Sequence, residues 1–362
     1  MFDSRCYERQ LKDAVADLNT MWRELDGKSI LITGATGLIG SALTDVLCCA
    51  GSHGMAHMEI YAASRRIEQL QQRFRAWEAL HFIKYDAVEE PQWENGFDYV
   101  IHCAGNAHPN EFGKAPVETL MGSVQGVYNL LNYIRRCKNT CRMLYISSSE
   151  VYGTRDSSST EWYSETDYGR LDILNARACY PSGKRAAETL CASYKAEYGL
   201  DIVIARPGHI YGPNVTESDS RASAQFFRDV MEDRDIVMKS SGSQLRSYCY
   251  VIDCATALLT ILIRGESGSA YNVSNRDSVA TIRQLAEEIA EQSGRMVVKA
   301  MPTDFEAKSY NLMDVSALNA ERLELLGWSG RYDLSAGVGA TLEALIENTQ
   351  TEKGDAATPE VK

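Results

Sequence analysis

A tyrosine and a lysine four positions apart could form a proton-transfer pair. Tyr180 and Lys184 stand in the segment RACYPSGKRAAE, and on a helix this spacing places both side chains on one face. An ammonium beside a phenol favours the phenolate, so we expect Lys184 to lower the pKa of Tyr180 and to let it exchange a proton with a substrate alcohol. Upstream, YISSSEVYG offers Ser148 as a hydrogen-bond partner for the same oxygen. The spacing is common by chance, so it becomes informative only beside a nucleotide-binding site.

A glycine-rich turn earlier in the chain predicts that site. SILITGATGLIGSALTDVL has the pattern of a strand, a turn and a helix, with Gly34, Gly37 and Gly40 three positions apart. The first glycine permits a tight turn, the second lets the backbone approach a pyrophosphate, and the third allows close packing of helix and strand. The helix N-terminus would face the phosphates. The predicted dinucleotide contacts of this turn are Gly34, Thr36, Gly37, Leu38, Ile39 and Gly40.

The next strands indicate which dinucleotide binds. MEIYAAS ends in Ser64-Arg65-Arg66, whereas an NAD site usually carries an acid about 20 residues after the glycines. A small polar residue followed by arginines suits a 2′-phosphate, so the sequence favours NADP over NAD. The alternative is that the arginines only begin a solvated helix. Asp86 is placed to meet the adenine edge, and Ala104, at the end of DYVIHCAG, to face the nicotinamide.

The order of strands and helices predicts an α/β fold with a doubly wound parallel sheet, known as a Rossmann fold. Beyond residue 206 the alternation loosens, which indicates a smaller C-terminal α/β lobe over the carboxyl ends of the strands, where ligands bind in such folds. The predicted divisions are a helical extension (1–26), the dinucleotide domain (27–206, with strands returning near 247–275), the substrate lobe (207–348) and a disordered tail (349–362).

Composition excludes several classes of function. The formal net charge of −12 argues against nucleic acids and anionic membranes as partners. No apolar run approaches the ~20 residues that span a bilayer, and the polar N-terminus lacks a signal-peptide core, so we expect a cytoplasmic protein. The ten cysteines show no CxxC or zinc-like spacing. They are expected to be buried, reduced thiols, and no metal site is predicted.

Taken together, these segments resemble the extended short-chain dehydrogenase/reductase family, the NAD(P)-dependent nucleotide-sugar epimerases and dehydratases. The resemblance covers roughly residues 28–346. Within the family, SSSEVYG, RACYPSGKRAAETL, SDSRA and GSQLRSYCYV are most similar to UDP-glucuronate decarboxylases. The segments that carry the resemblance are TGATGLIG, VIHCAG, SSSEVYG, YPSGK, ARPGHIYGP and GSQLRSYCYVID, in this order.

The resemblance implies a mechanism and a bound substrate, a nucleotide-diphosphate sugar. Tyr180 would remove the proton of the C4 hydroxyl while a hydride passes to the nicotinamide, Ser148 would hold the developing charge, and Lys184 would bind the nicotinamide ribose. The 4-keto sugar could then lose CO2 or water. Glu150 matches a glutamate of the decarboxylases and dehydratases and would act near C5 and C6. Its alternative is a structural ion pair with an arginine.

The resemblance also implies substrate contacts. Arg221 and Arg246 would hold the diphosphate or a sugar carboxylate, because a guanidinium binds such groups with two hydrogen bonds. Ser149 lies beside the catalytic serine, and His209 replaces an asparagine that contacts the phosphates in relatives.

Two other functions stay open at this point. The chain could be a 4-epimerase or an NADPH-dependent 4-keto-sugar reductase, which Glu150 argues against. It could also be a non-catalytic NAD(P)-binding sensor or scaffold, which the retained Tyr180 and Lys184 argue against. Relatives commonly pair through helices corresponding to 115–137 and 180–198, so a homodimer is expected.

Overall fold

A computed structural model describes residues 4–356 except 95, 138–139, 156–161 and 304–312. Its main sheet has seven strands, all parallel to their neighbours. The predicted Rossmann arrangement is confirmed. In spatial order the strands are β10 (Ala270–Val273), β6 (Asp201–Pro207), β5 (Arg142–Ile146), β4 (Tyr99–His102), β1 (Ser29–Thr33), β2 (Glu59–Ser64) and β3 (Leu80–Lys84).

Helices cover both faces of this sheet because its strands are apolar on both sides. Ile30 and Ile32 of β1 face one core and Leu31 faces the other. The first core is covered by α3 (Leu38–Ser52) and α9 (Val251–Arg264), and the second by α6 (Pro116–Arg136) and α7 (Cys179–Tyr198). Shorter helices, α4 (Ile67–Arg73) and α5 (Pro109–Lys114), follow β2 and β4.

A second, smaller α/β lobe lies beyond β6. In its larger sheet β9 (Leu245–Tyr250) pairs with β7 (His209–Tyr211), β11 (Val279–Thr281) and β13 (Val315–Ser316). A parallel pair is formed by β8 (Ile236–Met238) and β12 (Val297–Lys299). The helices of this lobe are α8 (Ala222–Met231), α10 (Ile282–Ser293), α11 (Glu321–Leu325) and α12 (Leu334–Ala356).

The helical extension at the start of the chain joins both lobes. It comprises α1 (Arg5–Asp17) and α2 (Trp22–Leu25), and α1 packs on α3, α9 and α12. Tyr7 donates a hydrogen bond to the buried Asp45 of α3 (3.0 Å), and Ser4 donates one to Glu347 of α12 (2.7 Å). Because these contacts are buried or partly buried, they fix the extension against the domain.

The last helix continues past residue 348, where the sequence predicts a disordered tail. It runs to Ala356, and its added turns contain Gln, Glu and Lys, which are good helix formers. Residues 357–362 lie outside the described part. No helix among the described residues is long and apolar enough to cross a bilayer. The ten cysteines are free thiols, and eight of them are buried.

Candidate active site

Tyr180 and Lys184 lie where α7 begins, at the carboxyl edge of the main sheet. A short 3₁₀ turn, Ala176–Ala178, leads into the helix. The side chain of Asn175 caps this turn by accepting a hydrogen bond from the backbone N–H of Arg177. Both functional side chains line a cavity of about 570 Å³ between the sheet and the smaller lobe. The predicted site residues on its wall are Gly34, Gly37, Leu38, Ile39, Gly40, Ser148, Ser149, Glu150, Tyr180, Lys184, His209, Arg221 and Arg246.

Tyr180 does not have the lowered pKa that the sequence predicts. Burial raises the pKa of Tyr180 to about 12, and the Glu150 carboxylate raises it further, against a hydrogen bond from Ser148 and two nearby arginines. Lys184 donates to the carbonyl of Ile146 (2.7 Å), and its Nζ lies 5.9 Å from the centre of the Tyr180 ring. Burial also lowers the pKa of Lys184 to about 8. For Tyr180 the loss of hydration therefore outweighs the groups that favour the phenolate.

Glu150 is held by an arginine that lies inside the same cavity. Nη1 and Nη2 of Arg177 donate to the two carboxylate oxygens at 3.0 and 2.9 Å. Glu150 lies in a 3₁₀ turn, Ser149–Tyr152, and its backbone N–H donates a hydrogen bond to Ser148 Oγ (3.2 Å). The ion pair that the sequence offers as an alternative does exist, and it faces the cavity.

The glycine turn forms a cradle that fits a dinucleotide. Gly34 has φ +70°, and a Cβ there would lie 2.7 Å from the backbone nitrogen of Ala104. A Cβ on Gly40 would lie 2.3 Å from the carbonyl oxygen of Gly34. Helix α3 starts after Gly37 without a side-chain cap. Its first N–H groups are therefore available to a pyrophosphate, and the turn has room for one.

The remaining cofactor candidates lie away from the cavity wall. Thr36 Oγ1 and Ser64 Oγ are 3.2 Å apart, where β2 ends. Arg65 is exposed and makes no ion pair or side-chain hydrogen bond with a described residue. Asp86 follows β3 and accepts a hydrogen bond from the N–H of Val88 (3.2 Å). Ala104 packs against Gly34 at the turn.

Arg246 is a buried cation without a carboxylate partner among the described residues. Its side chain is on β9, only 2% of the residue is exposed, and Nη1 donates to the carbonyls of Leu245 and Met313 at 3.0 and 2.8 Å. Burial lowers its pKa although Tyr248, Glu150 and Asp314 oppose this. A buried charge without a counter-ion is costly in free energy, and an anion bound in the cavity would serve as the counter-ion of Arg246.

Arg221, by contrast, already has a carboxylate partner. Its Nε lies 3.0 and 3.1 Å from the oxygens of Asp219, and Nη2 also donates to this acid. Burial would raise the pKa of Asp219, but His108 and Arg221 outweigh it and hold the pKa below its usual range. Of the two arginines predicted to bind the substrate anion, Arg246 therefore has the stronger need for one.

His209 is neutral in this environment. Burial lowers its pKa well below the usual value, and Arg246 and Arg221 add to the effect. Its Nδ1 is buried and has no hydrogen-bond partner among the described residues. The imidazole therefore offers a neutral donor or acceptor to a ligand.

Two residues of this site escaped the sequence analysis. Phe112, on α5, stacks on the Tyr180 ring with 4.5 Å between centroids, and Arg177 Cζ lies 4.7 Å from the centre of the Phe112 ring. The signal for Arg177 was its place three residues before Tyr180, on the turn that starts α7. No sequence spacing links Phe112 to either residue.

Comparisons with known proteins show which proteins this chain is similar to. The chain is 27% identical to UDP-glucuronic acid decarboxylase 1 of Xenopus tropicalis over 94% of this chain and 77% of that one. It is 29% identical to UDP-glucuronic acid decarboxylase 6 of Arabidopsis thaliana over 85% and 86%. A dTDP-glucose 4,6-dehydratase from Bacillus anthracis, solved with NAD, has a similar fold, with TM-score 0.74 and 18% identity over 90% of this chain and 98% of that one. The NAD dependent epimerase/dehydratase family matches residues 30–274, so the chain belongs to that family and is an NAD-dependent nucleotide-sugar enzyme.

Proposed function

We propose that this enzyme oxidises UDP-glucuronate at C4 and then decarboxylates it. The observation that carries the proposal is Arg246, a buried cation that has no carboxylate partner in the described part of the chain and lies on the wall of the cavity that also contains Tyr180. A uronate brings a carboxylate to such a cation. The similarity to UDP-glucuronic acid decarboxylases supports the same substrate.

The side chains divide the work as follows. Tyr180 in its phenolate form takes the proton of the C4 hydroxyl, Ser148 hydrogen-bonds the same oxygen, and Lys184 would hold the nicotinamide ribose. When bound, the nicotinamide supplies the redox chemistry by accepting the hydride from C4 and returning it later. In the ketone the C5–C6 bond breaks, CO2 leaves, and the electron pair moves to the C4 oxygen beside Tyr180. Glu150 orients the water that then protonates C5.

Product analysis tests this proposal. Purified enzyme is incubated with UDP-glucuronate and either NAD⁺ or NADP⁺, and the nucleotide sugars are followed by mass spectrometry. We expect a product lighter by one CO2. Loss of one water instead would identify a dehydratase, and a product of unchanged mass with inverted C4 in the NMR spectrum would identify a 4-epimerase. Either result would refute decarboxylation.

A second candidate is NADPH-dependent reduction of a 4-keto sugar. Arg65, which is exposed and has no ion-pair partner within the residues that the structure describes, favours it, because net reduction draws on NADPH and the arginine can bind its 2′-phosphate. Oxidation of NADPH by a 4-keto nucleotide sugar, without added UDP-glucuronate, would support this activity.

We further propose that the enzyme prefers NADP over NAD. Arg65 and Arg66 follow Ser64 at the end of β2, and residues 64–66 include no acid that would repel a 2′-phosphate. We expect Arg65→Gln to weaken NADP⁺ binding about 10-fold, the loss of one charge-assisted hydrogen bond, and to leave NAD⁺ binding unchanged. Calorimetric titration measures both dissociation constants. The exposed Arg75→Gln is the matched control, and a wild type that binds NAD⁺ more tightly would contradict the preference.

We also propose that the enzyme is a homodimer paired through α6 and α7. Val117, Met121 and Tyr128 of α6 are large apolar residues with 66%, 46% and 48% exposure. A cluster of this kind on packed helices suits a two-fold contact. Met121→Arg should give a monomer in size-exclusion chromatography with light scattering. Ile346→Arg, at the same 46% exposure on α12, should leave the mass unchanged; a monomeric wild type would refute the contact.

A further inference from the structure

The pair of Arg177 and Glu150 has the geometry of a fixed unit. Nη1 and Nη2 of Arg177 each donate to a different carboxylate oxygen of Glu150, and the two side chains are 11% and 18% exposed. A bidentate pair fixes the plane of the carboxylate and leaves one lone pair on each oxygen for another donor. The backbone also anchors the arginine, since its N–H donates to Asn175 Oδ1 (3.0 Å). Glu150 therefore has one defined orientation on the cavity wall.

The same arginine is linked to the tyrosine through a ring. Phe112 is 1% exposed and contacts both residues. The guanidinium of Arg177 lies over the Phe112 ring, and the Tyr180 ring stacks on it at an interplanar angle of 16°. Cation–π and stacking contacts of this kind are attractive and hold the groups in a fixed arrangement. Arg177, Phe112, Tyr180 and Glu150 thus form one contiguous group.

We propose that Arg177 is a positioning residue for proton transfer at Tyr180, because it holds Glu150 in place and balances its negative charge beside the phenol. The inference deepens the proposed function and rests on Tyr180 exchanging the C4 proton. Without Arg177, the Glu150 carboxylate would oppose formation of the phenolate with its full charge. The arginine would therefore matter for the reaction although it need not touch the sugar.

Several other charges face the same tyrosine and must be considered. Arg221, at the start of α8, also lowers the pKa of Tyr180, and Ser148 lowers it through a hydrogen bond. Lys184 is on the same helix and Tyr145 on β5. On the Glu150 side the further charge is Arg246. Since Arg221 and Arg246 stay in place in the variants below, a change on removing Arg177 reports on Arg177 itself.

The first experiment needs no substrate. A ring-difluorinated tyrosine, whose phenol ionises at lower pH than tyrosine, is incorporated at position 180 and titrated by fluorine NMR. We expect Arg177→Gln to move the midpoint up by about one pH unit, because an attractive charge is lost and a repulsive one remains. Arg177→Lys keeps the charge and should keep the midpoint. In the double variant Arg177→Gln/Glu150→Gln both charges are gone, and the midpoint should return close to that of the parent.

A distant arginine provides the matched control. Arg142, at the start of β5, pairs with Asp201 at 3.0 and 3.2 Å at the opposite edge of the sheet. Arg142→Gln removes a similar partly buried pair and should not move the midpoint. If Arg177→Gln also leaves it unmoved, or if the double variant stays shifted, the inference is overturned and the arginine is only structural.

Kinetics with the unlabelled enzyme separate this inference from the proposed function. The substrate is whichever nucleotide sugar the wild type converts. In Arg177→Gln the rising limb of the plot of kcat against pH should move to higher pH. KM should change less than kcat. If UDP-glucuronate is inert while the NMR midpoint shifts as expected, the decarboxylase proposal fails and the positioning role stands. If UDP-glucuronate is decarboxylated but neither the limb of the pH profile nor the NMR midpoint moves, the decarboxylase proposal stands and the positioning role of Arg177 fails.

Discussion

Tyr180→Phe is expected to reduce turnover by about a thousand-fold and to leave cofactor binding nearly unchanged. General acid–base catalysis by a positioned side chain contributes about 10²–10⁴-fold, and the phenol oxygen is the atom that exchanges the proton. The variant keeps the ring, so the stacking on Phe112 is retained. The measurement is kcat with UDP-glucuronate, together with the dissociation constant of the oxidised cofactor.

Tyr145→Phe is the matched control for this change. Its hydroxyl is buried, has no hydrogen-bond partner among the described residues and does not line the cavity. The substitution keeps the ring, whose centre lies 4.9 Å from Lys184 Nζ. We expect wild-type turnover from it. Turnover in Tyr180→Phe equal to that of the wild type would refute the assigned mechanism. Wild-type cofactor binding with no turnover of any nucleotide sugar, in the wild type itself, would instead favour a sensor or scaffold.

The second large effect is expected at the buried cation. Arg246→Met should weaken UDP-glucuronate binding by about 100-fold, because removing one partner of a buried charge pair costs about 2–5 kcal/mol. The free energy of unfolding should fall by less than the free energy of binding, since the free protein loses a buried charge that has no carboxylate partner among the described residues. Binding is measured by calorimetry in the Tyr180→Phe background, which prevents turnover. The free energy of unfolding is measured in parallel by denaturant titration.

A comparison of ligands decides which anion Arg246 holds. If it binds the sugar carboxylate, Arg246→Met should leave the affinity for UDP unchanged. If it binds the diphosphate, UDP and UDP-glucuronate should lose affinity together. Unchanged binding of both would contradict a substrate contact and weaken the case for a uronate.

The sequence predicts the fold well because its signals are local. The apolar run of β1, the three glycines after it and the start of α3 follow one another within twelve residues, Ser29–Gly40. The start of α10 at Ile282 has a local signal of the same kind, a capping box between Thr281 and Gln284. Each of these features depends on neighbours in sequence, so spacing and composition are sufficient.

The electrostatics of the site depend on tertiary packing, and there the sequence is less informative. The spacing of Tyr180 and Lys184 does place them on one face, but it says nothing of the burial that raises the pKa of the phenol. Arg221 cannot be told from Arg246 by residue type, and only Asp219 beside the former separates their roles. Charges acquire their function from partners that the fold brings from distant segments.

The docking of α1 has a consequence for how the chain is made. Ser4 and Glu347, which are 343 positions apart, contact each other, so this part of the docking of α1 cannot form until α12 has been synthesised. The contacts of α1 with α3 and α9 involve segments that are made earlier. A chain that stops before α12 would leave the α12-facing part of α1 uncovered, and exposed apolar surface is a feature that chaperones and proteases recognise. Complete docking of the first helix therefore requires the last one.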